Sequence, residues 1–171
     1  MARIFTRLPS PVGELIVTAS DAAVTGVFFP TSRRGPPPVT SAGWEEDSGK
    51  GRASEILARA RGQLTEYFAK TRTAFDLPLE AEGSKFEHRV WNALVTIPYG
   101  TTLSYGELAR RLGDKRASRA VGLANGANPI PIIVPCHRVV GTKGELTGFG
   151  GGLERKRWLL EHEGALMPLG A

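Results

Sequence analysis

A single cysteine, Cys136, occurs in the 171 residues, and only three histidines, His88, His137 and His162, accompany it. One thiol cannot close an internal disulfide, which excludes the stapled framework of a small secreted domain. None of these four residues stands at zinc-ligand spacing such as C-x-x-C or H-x-x-x-H, so no metal site is expected. Long apolar runs are missing too. No stretch nears the roughly 18 residues a bilayer span requires, and Met1-Ala2-Arg3-Ile4-Phe5-Thr6-Arg7 reaches charge before a signal-peptide core could form. A cytoplasmic or otherwise reducing compartment, with no membrane partner, is the expectation. The glycine-rich stretch Gly148-Phe149-Gly150-Gly151-Gly152 has no Walker-type lysine and follows no βαβ pattern, which argues against nucleotide binding.

What is present suffices for a packed core: 41% of the residues are hydrophobic. The net charge is +5, and most of the excess falls beyond residue 80. That distribution fits a polyanionic partner for the second half, or simply a solvated basic surface.

The chain reads as two domains, 1–80 and 81–171. In the first, short β-branched and aromatic runs over 3–8, 14–19 and 23–29 are separated by turn residues and predict three antiparallel strands. Residues 30–51 are rich in proline, glycine, serine and charge and read as a mobile surface loop. Ile56, Leu57, Ala60, Leu64, Tyr67 and Phe68 recur at helical spacing over 54–70, giving a helix to cover the sheet, and the alternation over 71–80 predicts one more strand. This half is a small α/β unit. The second half is mainly helical. Ser84-Lys85-Phe86-Glu87 and Ser104-Tyr105-Gly106-Glu107 both match the capping box, in which a serine side chain and a glutamate three residues on satisfy each other's amides. A short turn after Gly113 leads to a helix over 117–125, and a last helix spans 153–163 before Gly164.

Two features of the second half carry chemistry. The helix, turn and helix around 105–125 holds Arg110, Arg111, Lys115, Arg116 and Arg119 against only Glu107 and Asp114, a balance suited to phosphate contact. Plain helix packing fits the same pattern. Gly122, Ala124, Gly126 and Ala127 on the second helix are too small to read bases from a distance and would instead let its backbone approach a duplex closely. The other feature is Cys136 itself, at the end of Ile132-Ile133-Val134-Pro135 and followed by His137-Arg138. Neighbouring positive charge favours a reactive thiolate, whereas burial alone would make the residue a small hydrophobe. Pro129, Pro131 and Pro135 exclude a regular helix and predict an extended, stiff approach to the thiol. On an extended segment, Cys136 and His137 point to opposite faces, so a water would link them rather than a direct bond. Val139 to Thr147 reads as a small hairpin.

Taken together and in order, Ser104-Tyr105, the basic helix-turn-helix with Arg119, Asn128-Pro129, Pro135-Cys136-His137-Arg138-Val139 and His162-Glu163-Gly164 resemble the 6-O-alkylguanine-DNA alkyltransferases, the methylated-DNA-protein-cysteine methyltransferases. The resemblance covers roughly 84–164 in motif and the earlier part only in architecture. It implies an RNase H-like α/β support domain followed by a winged helix-turn-helix domain. The activity implied is direct repair of duplex DNA: a 6-O-alkylguanine is flipped out and its alkyl group moves irreversibly to the protein's own cysteine, once per molecule. By the same resemblance Cys136 is the acceptor, His137 the base acting through water, Glu163 the carboxylate that orients it, Tyr105 the proton donor toward the guanine, and Asn128 the brace of the cysteine loop. Arg119 enters the vacated base stack, with Ala120, Arg116, Arg110 and Gly122 at the DNA. Val139, Phe149, Gly150 and Gly151 lie where the substrate loop falls, and the smallness of the glycines leaves room for larger adducts. No cofactor, metal or obligate protein partner is implied.

Two other classes fit parts of the pattern. A thiol hydrolase would turn over without DNA, yet no oxyanion or specificity element is recognisable. A DNA-binding lesion sensor would have no use for Cys136 as acceptor. Of the remaining residues, His88 reads as an exposed helix position, Trp44 and Tyr67 as packing, and Tyr99 as support for a turn.

Overall fold

The computed structural model describes residues 3–32, 39 and 43–167, which divide into two compact units, Met1–Glu82 and Gly83–Ala171. In the first unit, β1 (Ile4–Leu8), β2 (Leu15–Ala19) and β3 (Val24–Phe28) form the expected antiparallel meander, and β4 (Glu45–Glu46) joins β1 in parallel, giving a mixed sheet of order β3-β2-β1-β4. Part of the expected loop over 30–51 lies outside the described residues. Its described end is tied down: Glu45 N donates to Arg3 O at 3.0 Å, Asp47 N to Phe5 O at 2.8 Å, and the Ser54 hydroxyl to the Asp47 carboxylate. Those edge bonds come from backbone groups, which the polar composition of the segment does not advertise.

α1 (Arg52–Phe68) buries Ile56, Leu57, Ala60, Leu64 and Tyr67, the face its periodicity marks out, and packs on β1 and β2. The strand expected over 71–80 does not form. Gln63 takes both backbone groups of Asp76, donating to its oxygen at 2.9 Å and accepting from its nitrogen at 2.8 Å. Pro78 has no N–H to offer a ladder, so only an isolated bridge between Val24 and Leu79 remains.

In the second unit, α2 (Lys85–Leu94) starts with the complete capping box: Glu87 N donates to Ser84 Oγ at 3.1 Å and Ser84 N to Glu87 Oε1 at 2.9 Å. Trp91 on its buried face donates Nε1–H to Ala124 O at 2.8 Å, fixing α2 against α4 (Ser118–Gly126). α3 (Tyr105–Arg111) has half the expected box. Ser104 Oγ accepts from Glu107 N at 3.1 Å, but the Glu107 carboxylate turns to Arg110 at 3.4 Å. A 3-10 turn over Lys115–Ala117, capped by Asp114, connects α3 to α4.

The hairpin expected over 139–147 is instead a tight turn closed by Gly141 N on Glu145 O, while β6 (Val139–Val140) pairs in parallel with β5 (Leu103–Ser104). The partner of Val139 is thus a strand from far earlier in the chain, which local pattern cannot reveal. α5 (Leu153–His162) buries Leu159 and Leu160 as expected, and Lys156 with them, whereas Trp158 is half-buried and stacks on His162 at 4.7 Å.

Candidate active site

The parallel pairing of Leu103 with Val139 and Ser104 with Val140 builds the site. It sets the start of α3, where Tyr105 sits, beside the turn that carries Cys136, although the two are far apart in sequence. The approach to the thiol is not extended. Cys136–Arg138 is a 3-10 turn with Pro135 as its N-terminal flank, because Arg138 N closes back on Pro135 O at 3.1 Å. Prolines at 129, 131 and 135 preclude regular α-helix but leave this single tight turn open.

Upstream, the chain doubles back, with Val134 N donating to Ile130 O at 2.9 Å. Ile132 at the bend has φ 73°, a left-handed conformation that a β-branched residue adopts only under constraint. Asn128 supplies that constraint from a buried position, donating through Nδ2 to Val134 O at 2.9 Å and accepting from Ile130 N at 3.0 Å. Cys136 is 5% exposed, and its carbonyl accepts from Asn125 Nδ2 at 3.2 Å.

His137 is fully buried and its Nε2 lies 2.8 Å from Glu163 Oε2. Glu163, the residue that ends α5, also receives Arg138 in fork geometry, Nε to Oε1 at 2.8 Å and Nη2 to Oε2 at 3.0 Å. Arg138 completes its bonding on Ile97 O at 2.6 Å and lies over the Tyr99 ring. Burial alone would raise the Glu163 carboxyl, but the hydrogen bonds from His137 and Arg138 hold it at about 2. Burial pushes His137 below its ordinary value and outweighs Glu163, so the imidazole is neutral at neutral pH. An ionised carboxylate only accepts, which places the ring proton on Nε2 and leaves Nδ1, without a hydrogen-bond partner among the described residues, as the basic lone pair.

On the other side, the Tyr105 hydroxyl donates to Thr147 O at 3.1 Å, and burial raises its pKa. Lys156, which sequence reasoning passed over, is fully buried and donates to Val139 O at 2.6 Å and Thr147 O at 2.8 Å. Burial brings its pKa down to about 8, while negative charge on Cys136 works the other way. A lysine on a surface-patterned helix gives no signal of burial. Its i+3 and i+4 neighbours, Leu159 and Leu160, are the only hint.

Of the remaining expected residues, Arg110, Arg116, Arg119 and Ala120 are exposed on the helix-turn-helix. Gly122 is half-buried under the Tyr105 ring, where a Cβ would stand 3.8 Å from the ring. Val139 and Phe149 are buried anchors at either end of the 140–148 turn, Gly151 is buried and Gly150 partly exposed. Among the described residues no cluster of three or more His, Cys, Asp or Glu could hold a metal, and no helix is long and apolar enough to cross a membrane.

Comparison with known proteins accords with this architecture. Residues 4–81 match the family described as 6-O-methylguanine DNA methyltransferase, ribonuclease-like domain, and residues 85–165 match its DNA binding domain. A methylated-DNA--protein-cysteine methyltransferase of Mycolicibacterium paratuberculosis is 46% identical over 159 residues, covering 93% of this chain and 91% of its own. The same-named protein of Methanosarcina acetivorans is 44% identical over 91% of this chain and 95% of its own. A crystal structure of Mycobacterium tuberculosis OGT in complex with DNA superposes with a TM-score of 0.84 at 46% identity, over 94% of this chain and 92% of that one. The chain therefore belongs to the 6-O-methylguanine DNA methyltransferase family.

Proposed function

We propose that this chain repairs DNA by direct damage reversal, taking the alkyl group of a 6-O-alkylguanine onto Cys136 in a single irreversible turnover. The observation that carries the reading is the buried relay: Glu163 holds Nε2–H of a neutral His137 at 2.8 Å, and the unpaired Nδ1 of the same ring belongs to the residue next to Cys136. A neutral imidazole with a free lone pair is a competent base for a thiol, directly or through one water.

The duplex hides the reacting carbon, so the nucleotide must be extruded, at a cost of about a few kcal/mol that is smallest for a poorly paired base. Arg119, exposed near the start of α4, fills the gap, and Arg110 and Arg116 hold phosphates. Sγ then attacks the alkyl carbon, the carbon–oxygen bond breaks, and its electron pair passes to the guanine. Tyr105 gives its hydroxyl proton to the purine ring, and the proton held by His137 restores the phenol through water. The products are guanine and S-alkylcysteine.

In this reading residues 81–171 bind DNA and accept the alkyl group, 1–80 support them, and the 139–151 segment bounds the substrate. A thiol that must stay reduced and a nucleic-acid substrate favour the cytoplasm. The test is intact-protein mass spectrometry after incubation with an oligonucleotide containing 6-O-methylguanine. A gain of one methyl group mapped to Cys136 is expected; an unchanged mass for folded protein overturns the proposal. Turnover on an ester without DNA would favour a hydrolase instead.

A further inference from the structure

Three buried side-chain polar atoms lack a hydrogen-bond partner among the described residues: Arg72 Nε, His137 Nδ1 and Asn125 Oδ1. Arg72 lies in the first unit, and Nδ1 is the base. Asn125 remains unexplained. It is 2% exposed on the inner face of α4, where an isosteric leucine would avoid the roughly 1–3 kcal/mol cost of an unsatisfied buried carbonyl. What leucine could not do is donate. One hydrogen of Nδ2 holds the Cys136 carbonyl at 3.2 Å, which leaves the second for another acceptor. Gly122, one turn earlier on the same helix, lies against the Tyr105 ring, with a Cβ there 3.8 Å from Cδ1 and Cε1. The Asn125 amide also favours the ionised form of Tyr105 as a hydrogen-bond donor.

We propose that Asn125 is a positioning residue that joins the acid to the nucleophile: its amide anchors the Cys136 carbonyl and holds the Tyr105 oxygen while that hydroxyl yields its proton. The O–H bond of Tyr105 breaks, an N–H bond forms on the purine, and the phenolate oxygen accepts the second Nδ2 hydrogen until it is reprotonated. The inference rests on the role given to Tyr105 under Proposed function.

Single-turnover kinetics on a duplex containing 6-O-methylguanine separate binding from chemistry. Asn125→Leu is expected to lower the limiting transfer rate about tenfold to a hundredfold, the size of one charge-assisted hydrogen bond, with the half-saturating DNA concentration unchanged. In a Tyr105→Phe background the same substitution is expected to cost nothing further. A loss of equal size in that background would assign the effect to the Cys136 carbonyl and overturn the inference, as would an unchanged limiting rate or a change confined to DNA affinity. If thermal melting shows Asn125→Leu unfolded, Asn125→Ala carries the same comparison with the same outcomes. Methyl transfer to Cys136 in the wild type is scored separately: its absence removes the functional reading, whereas transfer with additive variants removes this inference alone.

Discussion

Tyr105 and Lys156 converge on one acceptor, the carbonyl of Thr147, which takes the phenol at 3.1 Å and the ammonium at 2.8 Å. The shared carbonyl fixes the Tyr105 hydroxyl to a buried cation on α5. Lys156→Met fills similar volume but withdraws the donor from the buried Val139 carbonyl, at about 1–3 kcal/mol, while the Thr147 carbonyl keeps the Tyr105 phenol. Lower stability in urea at pH 7.5 is expected, together with slower transfer. The sign with pH follows from the folded value of about 8 against an ordinary 10.5. Between them the unfolded state binds more proton, so wild-type stability rises relative to Lys156→Met as pH climbs through that window. A difference that stays flat from pH 7.5 to 10 would refute the buried-ammonium account.

Acid acts on the relay in two steps of the same sign. His137 titrates below its ordinary 6.5 in the folded protein, so its contribution begins to fall as pH drops below that value. Glu163, held at about 2 against 4.5, adds roughly 3 kcal/mol that is fully present above 4.5 and lost toward 2. Glu163→Gln is expected to be destabilised at pH 7 and to lack the second loss. Urea unfolding at pH 7, 5 and 3 checks it, and parallel curves for the two proteins would be the contrary result.

Asn128 uses both ends of its amide on the doubled-back segment that feeds the cysteine turn. Asn128→Ala leaves Ile130 N unsatisfied, strips Val134 O of one of its two donors so that only Cys136 N remains, and releases Ile132 from its left-handed conformation. A stability loss of about 1–3 kcal/mol is expected, with the transfer rate falling on the free base 6-O-benzylguanine as well as on DNA, because the thiol itself is displaced. A rate loss confined to DNA would contradict this.

Arg119 is exposed and makes no ion pair among the described residues. Arg119→Ala is expected to leave the melting temperature unchanged, to weaken duplex binding and to spare reaction with the free base. Each phosphate-contacting arginine removed, such as Arg116, should flatten the salt dependence of binding by about one unit in log–log slope. Fluorescence anisotropy at several salt concentrations reads this, and an unchanged slope excludes phosphate contact by that residue.

How much of this was legible in the sequence depended on how local the signal was. The Ser84 capping box, the α1 face and the meander are written in neighbouring residues, and the structure returns them nearly unaltered. Misreadings came where a distant partner decided. The 71–80 segment is captured by Gln63, and the Val139–Thr147 hairpin gives way to pairing with Leu103–Ser104. Within the site, Cys136, His137 and Glu163 were found through motif order, whereas Lys156 and Asn125 carry no sequence mark, since a lysine on one helix and an asparagine on another reveal burial only once packed.

Among the described residues the enclosed groups carry a positive charge that ionisation of the sulfur would offset. Arg138 neutralises Glu163, His137 is uncharged, and the Lys156 ammonium has a counter-ion once Cys136 gives up its proton. Alkylation converts that anion into an uncharged thioether. A spent molecule would therefore strand a cation in its interior, and Lys156 is expected to surrender its proton more readily after reaction than before.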